Sequence, residues 1–173
     1  MSLPKCPGCH EDYVRRVRRK GLIEHLLSQF YVYPFRCQLC GKRFRARQPG
    51  VNYVRINEDR RAYERIPVTY EAILSVDREY SEGVVKDISL GGCSVDTRTP
   101  LSPGTILQLG LQPPGYKGGI TIDAAVVRTS RLGSVGLEFI RFKHDQRNRL
   151  KDLVRSLHFA NAAPAIAVIE GHP

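Results

Sequence analysis

No stretch of about 18 or more consecutive apolar residues occurs in the chain, so no single helix of it is expected to cross a bilayer. The N-terminal residues Met1-Ser2-Leu3-Pro4-Lys5-Cys6 lack the apolar core of a secretory signal. Together these absences predict a cytoplasmic protein. Catalytic signatures are missing as well. No phosphate-cradling GxxxxGKS or GxxxxGKT loop occurs, no Ser, His and Asp grouping can be assembled, and no metal set leaves an open position, so an enzyme is not expected. Acidic residues are scarce: 17 Asp and Glu stand against 27 Lys and Arg, a net charge of +10. Nine of those ten excess charges fall within residues 1–65. That excess predicts attraction to nucleic acid, anionic lipid or an acidic protein face, without locating a site.

Cysteine is used sparingly and in a pattern. Four of the five cysteines form two CxxC pairs, Cys6-Pro7-Gly8-Cys9 and Cys37-Gln38-Leu39-Cys40. In a reducing compartment such pairs are metal ligands more often than disulfides. Each tight CxxC turn aims two thiolates at one point, and two turns complete a closed tetrahedron for zinc. Gly8 and Gly41 supply the flexible backbone. No βαβ pattern surrounds either pair, which argues against a thioredoxin-like redox role. Four thiolates leave no open position, so the expected role is structural, with Cys6, Cys9, Cys37 and Cys40 as ligands and His10 as an exposed neighbour.

This N-terminal part resembles a zinc ribbon. The pairs are separated by 27 residues, more than the roughly 15 to 20 common for such sites. Within the insertion, Tyr13 to Arg19 is a strand candidate. After Gly21, Leu22, Ile23, Leu26, Leu27 and Phe30 form one face of a short helix, with Glu24, His25, Ser28 and Gln29 opposite. The apolar face is expected to pack on the ribbon or the barrel, or else to dock a partner protein. Pro34 to Phe44 returns to strand character, with Phe44 closing a metal-centred core. Arg45 to Gly50 reads as a break.

From Ile66 the chain offers six strand candidates, Pro67 to Val76, Glu82 to Ile88, Gly92 to Thr97, Thr105 to Leu111, Ile120 to Ser130 and Val135 to Phe142. Alternation is clearest in Cys93 to Asp96 and Ile106 to Leu109, predicting one buried and one wet face. Six short antiparallel strands argue for a small closed barrel, which removes exposed edges. Cys93 is expected in the core, and Gly136 as a packing residue. Beyond His144, Arg147, Leu150, Leu153, Val154 and Leu157 give a helical stripe interrupted by one basic residue, capped by Asp145 or His144.

Two short stretches carry the functional reading. Asp59-Arg60-Arg61-Ala62-Tyr63-Glu64-Arg65 contains an RxxxR pair, and Asp87-Ile88-Ser89-Leu90-Gly91-Gly92 reads DxSxxG at a turn. A guanidinium offers a planar fork that fits both a phosphate and the O6/N7 edge of guanine. A carboxylate can accept from a guanine N1 or N2 edge. A serine can hold the turn or reach a ligand oxygen, and a glycine lets backbone approach a base.

In that order, and over roughly residues 55–158, the two stretches resemble the signatures of the PilZ family. The resemblance implies a mainly β fold, a six-stranded antiparallel PilZ-type β-barrel with a C-terminal helix, preceded here by the zinc ribbon with its short helix. It also implies binding of cyclic di-GMP through Arg61, Arg65, Asp87, Ser89 and Gly92. Arg60, directly before the pair, implies an intercalated ligand dimer. The expected division is a zinc-ribbon-like module at 1–48, a linker at 49–59, the PilZ domain at 60–158 and a flexible tail at 159–173. The ligand is expected to change the orientation of the two units or their contacts with an effector protein that the sequence does not identify. The competing reading is a nucleic-acid binder, with Arg15, Arg16, Arg18, Arg19 and Lys20 beside Tyr13 tracking phosphates.

Overall fold

The structure, a computed structural model, describes residues 3–50 and 62–162. Arg60, Arg61 and the linker anchors Tyr53, Val54 and Ile56 lie outside the described residues. Two bodies of secondary structure follow one another along the chain. The first has strand β1 (Val14–Arg16), helix α1 (Gly21–Gln29), β2 (Val32–Cys37) and β3 (Arg43–Arg47). Its strands form an antiparallel three-stranded sheet in the order β1-β2-β3. The strand at Tyr13 to Arg19 is thus realised only over its first half. A core of Cys6, Val14, Tyr33, Phe35, Cys37 and Leu39 lies beneath it, and Phe44 packs against that core with its ring 5.9 Å from that of Phe35.

The second body is a closed barrel in the order β4-β5-β6-β9-β8-β7. Its strands are β4 (Ile66–Val76), β5 (Glu79–Ser89), β6 (Gly92–Thr97), β7 (Ile106–Gln112), β8 (Ile120–Arg131) and β9 (Ser134–Phe142), followed by helix α2 (Gln146–Ala162). Every neighbouring pair is antiparallel. Alternation sets the faces: along β7, Leu107, Leu109 and Leu111 point inward while Ile106, Gln108 and Gln112 face water. Closure leaves no strand edge to recruit another chain. Leu150, Leu153 and Val154 of α2 are buried in the barrel's own core. Asp145 opens that helix, its carbonyl accepting from Asn148 and Arg149 and its carboxylate from the Asn148 amide.

Close approach requires glycine at several positions, and two of them bear on the sequence reading. A Cβ at Gly136 would strike the Thr129 hydroxyl, in keeping with a packing role. A Cβ at Gly92 would run into the Leu137 carbonyl of the adjacent strand. Cys93 is fully buried, and burial pushes its thiol up, so it is a core residue and no nucleophile.

Helix α1 corrects the sequence reading. Its apolar face does not pack on either body: Leu22 is 84% exposed and Phe30 69%, with Ile23 and Leu26 also exposed. The buried residue is Glu24, from the side expected to face water. The reason is local. The Glu24 carboxylate accepts the Lys20 N–H at the helix start (2.6 Å), both arms of the Arg43 guanidinium (2.6 and 2.7 Å) and Arg45 Nε (3.3 Å). A carboxylate with that many donors is stable under the helix, whereas the module's small core is already filled by Tyr33, Phe35 and their neighbours. No helix among the described residues is long and apolar enough to cross a membrane.

Candidate functional site

The metal site follows from the two knuckles. Cys6, Cys9, Cys37 and Cys40 bring their sulfurs within 4.8 Å of one another, with Cys6 to Cys40 and Cys9 to Cys37 each at 3.5 Å. Four sulfurs around one zinc at about 2.3 Å would stand roughly 3.8 Å apart, so this spacing suits that ion. Backbone N–H groups of Gly8, Leu39 and Cys40 donate to the sulfurs at 3.3 to 3.4 Å, as thiolate ligands require. The set is all-sulfur and compact enough to hold a metal ion. His10 is exposed and stands aside.

The barrel site is built where β5 turns into β6. A register shift between Val85 and Asp87 marks a bulge, which re-aims the Asp87 side chain. Asp87 Oδ1 accepts Arg65 Nη1 at 2.7 Å and the Ser94 N–H at 3.1 Å. Its Oδ2 has no partner among the described residues. Arg65 and Asp87 are only part exposed, at 20% and 30%, so water screens their pair incompletely. Two stretches separated by about twenty residues are thereby joined on one rim of the barrel.

The turn itself is held by Ser89. Its hydroxyl donates to the Gly92 carbonyl at 3.0 Å and accepts the Gly91 N–H at 3.3 Å. Ser89 is therefore engaged in shaping the turn, and Gly92 is demanded by the Leu137 carbonyl behind it. Both residues lie beside Asp87, which is what the spacing of the motif arranges. Arg61 and Arg60 fall outside the described residues.

The sequence reading missed Tyr63, Arg36 and Gly91. Tyr63 sits inside the RxxxR spacing and lies against Gly91, where a Cβ would come within 2.8 Å of its ring. Its hydroxyl takes a hydrogen bond from Arg36 of β2 at 2.9 Å, and the guanidinium carbon stands 5.1 Å from its ring centroid. Gln38, inside the second knuckle, is buried and accepts the Glu64 N–H at 2.7 Å. Further along the same contact, Arg155 of α2 pairs with Glu11 at 2.6 Å, and the rings of Tyr13 and His158 stack at 3.5 Å. Burial, with Glu64 nearby, pushes the Tyr13 phenol up to about 12. The cysteine module is thus docked on the rim that carries both signatures. The signal available in the sequence was the aromatic within RxxxR and the doubled glycine facing it.

The basic run is partly committed. Arg16 lies over Tyr33 at 4.5 Å and bonds Gln48 at 2.8 Å, and Arg19 bonds Ser28 at 2.7 Å. Arg16 and Arg19, among the cations that would track a polyanion, are therefore held within the module.

A closed six-stranded antiparallel barrel whose rim joins Arg65 to Asp87, followed by a C-terminal helix, defines a class of small β domain. Residues 59–156 match the PilZ domain, and the chain belongs to that family. Among solved structures, the K. pneumonia MrkH complex with c-di-GMP is similar with a TM-score of 0.52 and 19% identity, covering 76% of this chain and 72% of that one. The Bacillus subtilis inhibitor of motility MotI/DgrA is similar with a TM-score of 0.51 and 19% identity, covering 76% and 75%. YcgR from Escherichia coli in complex with c-di-GMP gives 0.50 and 17%, covering 86% and 75%. At these identities the likeness is one of fold. No curated protein matches the chain.

Proposed function

We propose that this protein is a receptor for cyclic di-GMP, with a structural zinc ion in the Cys6, Cys9, Cys37 and Cys40 module. The observation that carries the reading is the 2.7 Å contact between Arg65 and Asp87, which brings the two signatures to one rim. The family supports it, as do the fold relatives MrkH and YcgR, whose structures were solved with c-di-GMP. Arg65 is pre-aimed by Asp87 and offers its remaining donors to a phosphate or a guanine edge, while Asp87 Oδ2 is open to a guanine N1 or N2 donor. Ser89 and Gly92 act by fixing the turn on which Asp87 stands. Arg61 supplies the second fork, and Arg60 holds a second, intercalated nucleotide.

The working division is a zinc module at 1–48, a linker at 49–59, the barrel domain at 60–158 and a tail at 159–173. The signature arginines join the linker to the barrel, so a ligand there changes how the module sits and what effector it meets. The role is that of a cytoplasmic binding protein: among the described residues the site offers donors and an acceptor suited to holding a ligand.

Calorimetry of the zinc-loaded chain with cyclic di-GMP tests the reading. Micromolar or tighter binding is expected, with two nucleotides per chain. Arg65→Ala should weaken it tenfold or more, because a charge-assisted hydrogen bond contributes about 1.5–3 kcal/mol. Wild-type protein that ignores micromolar nucleotide would overturn the receptor reading, and a one-to-one ratio would overturn the dimer. Superimposable scattering profiles with and without ligand would remove the change of orientation.

A further inference from the structure

A pocket of about 240 Å³ opens where three parts of the chain meet. Arg36 and Gly41 come from the zinc module, Tyr63 and Leu90 from the two signature stretches, and Arg147 and Lys151 from α2. Three of the lining side chains are cations, none is a carboxylate, and Cys40, a ligand of the proposed zinc, is the one thiolate among them. Among the described residues, none of the three has an ion-pair partner. Arg36 is the informative one. One arm of its guanidinium bonds the Tyr63 hydroxyl, and its Nε is covered by protein with no acceptor among the described residues. Its outer nitrogens keep the donors that a ligand oxygen in the pocket would take.

The chemistry of that oxygen follows from its surroundings. A planar guanidinium fork, a lysine ammonium and a second arginine at the exposed rim suit a phosphate oxyanion, which accepts from several donors at once. The volume holds a phosphate with part of its attached sugar, and no more. Leu90 belongs to the Ser89 to Gly92 turn and Tyr63 to the Arg61 to Arg65 stretch, so the pocket is continuous with the rim site.

We propose that this pocket takes a phosphate of the bound cyclic dinucleotide, so that Arg36 of the zinc module and Arg147 and Lys151 of α2 complete the site that the barrel signatures begin. The inference rests on the receptor reading. It makes the zinc module part of the binding site, and the ligand a bridge between module and barrel.

The test uses the full zinc-loaded chain and cyclic di-GMP. The double variant Arg147→Ala with Lys151→Ala alters side chains whose removal leaves the core intact, and it is compared with Arg36→Ala, Arg65→Ala and wild type. Each pocket variant is expected to lose at least tenfold in affinity, with a shallower salt dependence and unchanged circular dichroism and zinc content. If Arg36→Ala does not fold, the helix variant alone decides. Pocket variants that bind like wild type while Arg65→Ala does not would overturn this proposal and leave the receptor reading standing. Wild type that does not bind would overturn the receptor reading, and this one with it. Inorganic phosphate should compete with the dinucleotide in wild type. Phosphate bound in the pocket without effect on dinucleotide affinity would assign the site to free phosphate and refute the proposal.

Discussion

Replacing Glu24 by glutamine should destabilise the zinc module by about 2–3 kcal/mol. Glutamine keeps the volume but removes the charge that receives both arms of Arg43 at 2.6 and 2.7 Å, and it turns an amide donor toward that guanidinium. Breaking a fully buried ion pair from one side costs about 3–5 kcal/mol. Here the carboxylate is covered while Arg43 and Arg45 remain 27% and 50% exposed, so both arginines recover part of their hydration and the lower end applies. A second route gives the same size. The Arg43 hydrogen bonds, outweighing the cost of burial, hold the Glu24 carboxyl down at about 2 from an ordinary 4.5. At about 1.4 kcal/mol per pKa unit that corresponds to about 3 kcal/mol. The cover is the arginines themselves rather than a thick apolar layer, which again favours a figure below that limit.

The sign fixes the pH window. The folded-state pKa is depressed, so the contribution is fully present above about pH 4.5 and is lost as pH falls toward 2. Urea unfolding of the zinc-loaded wild type and Glu24→Gln, followed by circular dichroism, should show the full difference at neutral pH and a shrinking one on acidification. The acid arm is read only over the pH range in which metal analysis finds the zinc still bound, because the module's core is built around the sulfurs. A loss below about 0.5 kcal/mol, within the range of an ordinary surface substitution, would refute the buried-pair argument. So would a difference that stays constant as pH falls below about 5 with the zinc still bound.

Two further outcomes follow from the packing. Metal analysis should find about one zinc per wild-type chain and none in Cys37→Ser. Chelation should remove the β1 to β3 signal while the barrel stays folded, because the module's core is built around the sulfurs; a module unchanged without zinc would defeat the structural assignment. Gly92→Ala should destabilise the barrel by about 1–3 kcal/mol even without nucleotide, since the new methyl meets the Leu137 carbonyl of a paired strand. Thermal unfolding of the ligand-free proteins reads this out, and an unchanged midpoint would show that the glycine is there for the ligand alone.

The barrel was legible because its information is local. Alternation in Cys93 to Asp96 and Ile106 to Leu109 assigns side chains to faces, and short turn-bounded strands close on themselves. The convergence of the four cysteines was legible for the same reason, since each CxxC carries its own geometry. Asp87 meeting Arg65 was implied by the pairing of two stretches, though the hydrogen bond to Ser94 and the bulge that aims the carboxylate were not.

What the sequence could not decide was which face of a short helix is covered. Periodicity shows that Leu22, Ile23, Leu26 and Phe30 share one side of α1 and Glu24 another, but burial depends on what lies opposite. Only folding brings Arg43 and Arg45 beneath Glu24, and their donors outweigh the apolar stripe because the module's core is already full. The same holds for the pocket, whose Arg36, Tyr63 and Lys151 come from three separate segments. Such residues carry no shared spacing, and only the docking of the module against the barrel and α2 sets their cations around one cavity.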